Sequence, residues 1–238
     1  MEELASLFGF GEGAWGPALM AGTLVTIQIA FTSYLVGMGI GLIGAVAKLR
    51  GPAPARIAAN GYTTIIRGLP EILLILLIYY GGTSAVDDLV YLIAGDSIRI
   101  EIDPFAAAVA ALGIICGAYS TEIFRGSIQA VPVSQIEAAQ ALSLPRLITF
   151  FRVVFPQAMR HALPALGNLW LIVLKDSALI SVVGLRDLVG VAASGAARTR
   201  MPFTFYSYVA LTFLVLSIVS MIAFHYAERY YARGQQVR

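Results

Sequence analysis

A bundle of membrane-crossing helices is the fold class that this sequence predicts, on three observations. Of its 238 residues, 58% are hydrophobic and only 13% are charged, about half the charged share of roughly 25% in ordinary soluble domains. Mean hydropathy is +0.80. The apolar residues also come in runs that reach the roughly 20 residues needed to cross a hydrocarbon core of about 30 Å as a helix, without the polar–apolar alternation of a membrane barrel. Helices satisfy their own backbone N–H and C=O groups in lipid, which open strands cannot. The expected architecture is all-α and integral to the membrane, with five transmembrane helices in a single domain, 1–238, whose core covers about 17–230.

The opening, MEELASLFGFGEGAWGP, holds three glutamates and no Lys or Arg. It lacks the basic start of a cleavable signal peptide, so the N-terminus is expected to be retained. Residues 17–47 are uncharged throughout and form the first span. GMGIGLIG, 37–44, places small residues three or four apart, which lets a second helix approach closely; a specific dimer seam and general close packing both fit. KLRGPAPAR then sets Lys48, Arg50 and Arg56 among turn residues and reads as a basic loop. The second span covers 57–80 and is interrupted by RGLPE. The stretch 81–104 opposes Asp87, Asp88, Asp96, Glu101 and Asp103 to Arg99 and reads as an acidic loop. A third span at 105–130 ends in YSTEIFRGSIQ, a polar segment occupies 134–156, and a fourth span runs over 156–174. A Gly/Ser-rich stretch to about 200 and a fifth span at 207–226 complete the chain.

Basic residues set the orientation. With the N-terminus outside, Lys48, Arg50, Arg56, Arg146, Arg152, Arg160, Arg229, Arg233 and Arg238 all fall inside, and the acidic stretch falls outside. The C-terminus is then cytoplasmic. Arg186, Arg198 and Arg200 break the rule, so 186–200 is expected to pack against protein. Cys116 lies alone in an apolar run, which excludes a disulfide framework and a multi-thiolate metal site. His161 and His225 have no ligand-type neighbour at metal-binding spacing and read as structural. No nucleophile and base are arranged for hydrolysis or transfer, so the chain is not expected to be an enzyme.

SQIEAAQALSLPRLITFFRVVFP, 134–156, is polar where its neighbours are greasy. Ser134 and Glu137 stand at capping-box spacing. Strong helix formers follow, and Pro145 stops the helix, because proline lacks an N–H and disfavours helical geometry in the residue before it. The expected helix, about 134–145, is too short to span and lies on the cytoplasmic side; a second helix is expected from Pro145 to Pro156. On physical grounds it is either a connector or a knob for a partner's groove.

Charges inside the spans are costly, about 2.5–3.5 kcal/mol each on insertion scales, and mark cavities or pairs. Arg67 and Glu71 are four apart, so they brace a kinked helix as an ion pair or they shape a path for a cationic substrate. Glu122 and Arg125, three apart, pair with each other or with the second span, or contribute to a gate; Tyr119 reads as a packing aromatic with a hydrogen-bonded hydroxyl. Lys175 and Asp176 are adjacent and face different ways. They either mark the outer end of a span or, with Asn168 and Ser177, carry separate polar contacts.

EAAQALSLPRLITFFRVVFP resembles the EAA motif of bacterial ATP-binding-cassette importer permeases: Glu-Ala-Ala, three residues, Gly, nine residues, Ile-x-Leu-Pro. Glu137, Ala138, Ala139 and Pro156 match it, Val153 and Phe155 are apolar substitutes, and Ser143 stands at the usual glycine. YTTIIRGLPEILLILLIYYG, YSTEIFRGSIQAVP, FPQAMRHALPALGNLW, LKDSALISVVGL and RMPFTFYSYVA are similar to polar amino-acid permeases, above all the histidine, arginine and opine branch, over about 15–230. The turn at Ser181, Gly184 and Leu185 resembles the family's approach to an acidic residue, here Asp187 in place of Glu.

The resemblance implies a type I importer permease fold and a segment, Ser134, Glu137, Ala138, Ala139, Ser143 and Pro145, that couples to a separate ATPase. It implies a substrate path at Arg67, Glu71, Asn168, Asp176 and Ser177, with Asp176 for an amino group. The chain has no G-x-x-x-x-G-K-[ST] phosphate loop, so ATP and Mg are expected in the partner ATPase and no cofactor here. Expected partners are two ATPases, a second copy or similar permease, an extracytoplasmic substrate-binding protein and membrane lipid, with no nucleic acid. The implied function is uptake of a polar or basic amino acid or opine-like derivative across the bacterial inner membrane. An intramembrane enzyme using Glu71, Glu122 and Asp176, and a nontransporting scaffold, are the alternatives.

Overall fold

The computed structural model describes residues 8–9, 11, 13–94 and 103–232, and no strand occurs among them. α1 (Gly16–Arg50) is followed by α2 (Ala53–Gly68) and α3 (Glu71–Leu76), which runs through a π-helical turn at Leu77–Gly81 into α4 (Gly82–Ala94). Next come α5 (Pro104–Gln129), the short α6 (Val133–Ala141), and α7 (Arg146–Thr149), which passes through a second π turn, Phe150–Val154, into α8 (Phe155–Asp176). A 3-10 turn, Ser177–Val183, leads to α9 (Leu188–Thr199) and α10 (Pro202–Ala232). Among the described residues, five stretches have the length and composition to cross a membrane: Gly16–Arg50, Glu71–Ile93, Pro104–Gln129, Arg146–Val183 and Pro202–Tyr231.

Three span boundaries differ from the sequence expectation. The second span begins at Glu71 rather than 57, because Gly68–Pro70 separates two helices: Leu69 is extended, and Pro70, which has no N–H, precedes the first turn of α3. Residues 82–94 continue the helix instead of opening an acidic loop, so Asp87 and Asp88 are helical. Asp103 caps α5, accepting from the Ala106 N–H at 3.1 Å, while Asp96, Arg99 and Glu101 lie outside the described residues. The fourth span begins at Arg146 rather than 156. Pro156 falls in the first turn of α8, where a missing N–H costs little, and the π turn carries the helix past it.

α1 and α5 form the spine. Their small residues interlock: a Cβ on Gly37 would strike Cys116, one on Gly41 would strike Ser120, and one on Gly44 would strike Thr121. Contact this close is what small residues permit between membrane helices. The Ser120 hydroxyl uses it to donate to the Gly37 carbonyl at 2.8 Å. GMGIGLIG is therefore an internal seam. α8 joins through the Tyr34 hydroxyl, which donates to the Leu166 carbonyl at 3.0 Å, with Trp170 edge-on to Tyr34 at 5.4 Å.

The segment after the fourth span is packed against protein. Gly184, at φ 87°, takes the left-handed conformation that ends the 3-10 turn. Asp187 then caps α9 by accepting from the Gly190 N–H at 2.9 Å, and the Leu188 N–H donates to the Thr26 hydroxyl at 3.1 Å. Asp187 is fully buried, with one carboxylate oxygen unpartnered. Burial pushes its carboxyl above its ordinary value. Leu188, Ala192 and Ala196 complete a core with Leu19, Phe205 and Val209.

Candidate functional site: a charged helix break and an exposed short helix

The break between α2 and α3 places two opposite charges around one aromatic ring. Arg67 ends α2 and Glu71 begins α3, but they do not pair as an i, i+4 bridge, because the backbone between them is not helical. Both meet Tyr119 of α5 instead: its hydroxyl donates to Glu71 Oε1 at 3.1 Å, and the Arg67 guanidinium lies 5.5 Å from its ring centroid. Cation–ring contact of this kind is worth about 0.5–1 kcal/mol at exposed sites. Asp176, half-buried at the end of α8, is close enough to interact electrostatically with both Glu71 and Tyr119. Arg67 and Glu71 thus both contact Tyr119, with Asp176 within electrostatic reach, and the hydrogen-bonded hydroxyl expected of Tyr119 from sequence is present.

The other two path candidates stand apart. Asn168 is exposed on α8, about 12 Å along the helix axis from Asp176. Ser177 is fully buried, and its hydroxyl donates to the Leu174 carbonyl at 2.7 Å, bracing the 3-10 turn.

Below the break lies an open cavity of about 520 Å³ lined by Lys48, Asn60, Thr64, Arg67, Tyr119 and Glu122. Glu122 is held by two cations: Lys48 at 2.5 Å and Arg125 at 2.7 Å. Lys48 also donates to Thr63 at 2.6 Å, and Arg125 to Gln129 at 2.6 Å. The expected Glu122–Arg125 pair is present, and Lys48 is the partner that sequence reasoning missed. Lys48 is only 6% exposed, so truncating Glu122 would leave the buried lysine charge unmatched at about 3–5 kcal/mol, whereas truncating Lys48 leaves Glu122 its Arg125 partner. The spacing of Asn60, Thr63 and Arg67 on one face of α2 was the available signal.

α6 occupies the same end of the bundle as this ion cluster. It starts after Pro132 with no side-chain cap, so the expected capping box at Ser134 and Glu137 does not form. Proline already supplies the helical entry, which puts Ser134 inside the first turn. Ala139 is buried, and Ile136 packs on Val131, Val154 and Ala158. Ser134, Glu137, Ala138, Ser143 and Pro145 are exposed. The helix ends in a Schellman arrangement: the Leu144 N–H donates to the Ala139 carbonyl at 3.1 Å and the Ser143 N–H to the Gln140 carbonyl at 2.8 Å. Ser143 holds the left-handed position at φ 56°. Val133, Leu142 and Leu147 are 67%, 75% and 73% exposed, an apolar surface that rims α6.

No group of three or more His, Cys, Asp or Glu residues suited to holding a metal occurs among the described residues.

Five apolar spans, a helix break just before the second and a short exposed helix between the third and fourth define a helical permease of the type I ABC importer fold. Residues 37–232 match the family model described as binding-protein-dependent transport system inner membrane component, and the chain belongs to that family. It is 39% identical over 234 residues to the octopine transport system permease protein OccQ of Rhizobium radiobacter, covering 98% of each chain. It is 40% identical over 231 residues to the histidine/lysine/arginine/ornithine transport system permease protein HisQ of Salmonella typhimurium, covering 96% of this chain and 97% of that one. Among solved structures, one described as an amino acid ABC transporter with histidines matches at a TM-score of 0.77 and 32% identity, over 91% of this chain and 95% of the other.

Proposed function

We propose that this chain forms, with a second copy or a similar permease, the path by which a polar or basic amino acid or an opine-like derivative is imported. The observation that carries the reading is the cluster at the helix break. Arg67 presents a cation against the Tyr119 ring, Glu71 a carboxylate at its hydroxyl, and Asp176 a second carboxylate within electrostatic reach of Glu71. Among the described residues, none of the three charges is neutralised by an ion pair within 4.0 Å. A substrate bearing both a carboxylate and an amino or guanidinium group satisfies both sets, as the substrates named for OccQ and HisQ do. Irregular backbone lining such a site is a recurring device in transporters. Asn168 stands outside this cluster, and Ser177 braces the turn that follows Asp176.

Energy enters from separate ATPase subunits, which bind ATP and Mg; α6, with its exposed Ser134, Glu137, Ala138, Ser143 and Pro145, is the surface they grip. An extracytoplasmic binding protein delivers substrate on the opposite side. The orientation is N-terminus outside and C-terminus cytoplasmic. Arg146, Arg152 and Arg160 support it by clustering at the α6 end of the chain, where positive residues belong on the cytoplasmic face.

The test is uptake by the permease reconstituted with its ATPase and binding protein. Asp176→Asn and Glu71→Gln are each expected to reduce uptake of a cationic substrate about tenfold or more, the weight of one charge-assisted hydrogen bond of about 1.5–3 kcal/mol, while ATPase assembly persists. Wild-type uptake by both variants would remove the cluster from the path.

A further inference from the structure

A second cavity, of about 310 Å³, opens between the start of α8 and the end of α10. Its size falls at the lower end of small-molecule pockets, which begin at about 300 Å³. The uptake mechanism does not use it. Gln157, Arg160, His161, Pro164, Glu228 and Tyr231 line it. Arg160 and Glu228 share the space, yet neither makes an ion pair within 4.0 Å with any described residue. Opposite charges are therefore held apart across a gap.

The backbone adds a further acceptor. Pro164 lies inside α8 and has no N–H, so the carbonyl four residues earlier, that of Arg160, loses its helical partner. The two helices are held at this spacing by a close contact one turn deeper, where a Cβ on Gly167 would meet the Phe224 ring at 3.0 Å. The cavity is thus the widened mouth of a tight crossing.

Its depth in the membrane follows from length. The 31 residues of α10 extend about 46 Å, well beyond a hydrocarbon core of about 30 Å. The last turns carry exposed Tyr226, Tyr230 and Tyr231, the aromatic girdle of a membrane–water boundary. The outward face of α10 is apolar, with Leu211, Val215 and Ile222 all more than half exposed. A cation, an anion and a bare carbonyl therefore sit at headgroup level beside a lipid-facing helix.

We propose that this cavity seats the headgroup of a zwitterionic aminophospholipid, phosphatidylethanolamine in its simplest form, in the leaflet on the α6 side. Arg160 takes the phosphate. Glu228 and the Arg160 carbonyl accept hydrogen bonds from the primary ammonium, and Tyr231 closes the rim. Primary amine and phosphate together match the site, whereas phosphatidylcholine carries no N–H and phosphatidylglycerol no cation.

The full chain in nanodiscs of phosphatidylcholine, containing a fixed fraction of phosphatidylethanolamine or phosphatidylglycerol, provides the test, with retained lipid read by native mass spectrometry after transfer to detergent. Wild type should retain phosphatidylethanolamine over phosphatidylcholine by about fivefold, the weight of one charged contact at the headgroup level. Glu228→Gln should lose that preference and gain phosphatidylglycerol. Arg160→Gln should lose it without that gain. If a variant fails to insert, a series on the wild type decides: retention should fall stepwise from the primary amine through its mono- and dimethylated forms to phosphatidylcholine. Equal retention along that series, or a preference untouched by either substitution, would overturn the proposal.

Discussion

Ser143 shows how one residue carries both a local cost and a family signature. It occupies the left-handed position of a Schellman turn at φ 56°, a conformation that costs a residue with a Cβ about 1–2 kcal/mol and glycine almost nothing. Ser143→Gly should therefore tighten the end of α6. Hydrogen exchange of the amides over 138–144 should slow by about fivefold or more, the equivalent of about 1 kcal/mol; unchanged exchange would mean that the turn is not strained. The glycine expected there was legible from the motif, while its reason, a left-handed backbone, needed the coordinates. The reverse happened at Ser134. Its spacing to Glu137 fits a capping box, but Pro132 had already taken the N-cap position, and local pattern lost to the residue before it.

At the scale of elements, uncharged runs made the spans legible because lipid excludes charge over the length of a helix. Their ends were harder. Proline signals both a stop and a start: Pro70, read from sequence as interrupting the second span, stands at a helix beginning, and Pro156, read as the start of the fourth span, lies in the first turn of a helix that a π turn joins to the preceding one. The pairing of elements was not legible at all, since Lys48 reaches Glu122 across 74 positions of sequence and Tyr119 reaches Glu71 across 48. The α1–α5 seam makes a prediction of its own. Gly41→Val places methyl groups where the Ser120 side chain lies; overpacking of this kind costs about 1–3 kcal/mol. The variant should melt at a lower temperature in detergent than Gly39→Val, since a Cβ on Gly39 meets nothing within 4 Å. Equal melting of the two would show that the seam tolerates separation.

For the whole molecule, the division of labour is written in what faces outward. α6 and its flanks expose Val133, Leu142 and Leu147 beside Glu137 at the polar end of the bundle, and surfaces of that kind mark protein contacts. Glu137→Lys is expected to weaken co-purification of the ATPase by about tenfold, within the range for charges juxtaposed at an interface, while membrane insertion stays intact. Undiminished co-purification would remove the coupling role from Glu137. The variant leaves the Arg67–Tyr119–Glu71 cluster untouched, so substrate recognition and energy input are separable by mutation.

The spine has one more consequence, which is mechanical. Two helices locked backbone to backbone by Gly37, Gly41 and Gly44 slide poorly past one another, because a small shift along the seam would drive the Cys116, Ser120 and Thr121 side chains into the facing backbone. They act as a stator. Near the charged cluster the backbone offers a joint free of helical hydrogen bonding, the extended Leu69 between Gly68 and Pro70. Any rotation of α2 against α3 would therefore turn about the short segment that separates Arg67 from Glu71, so the spacing of those two charges is the geometry such a rotation changes first.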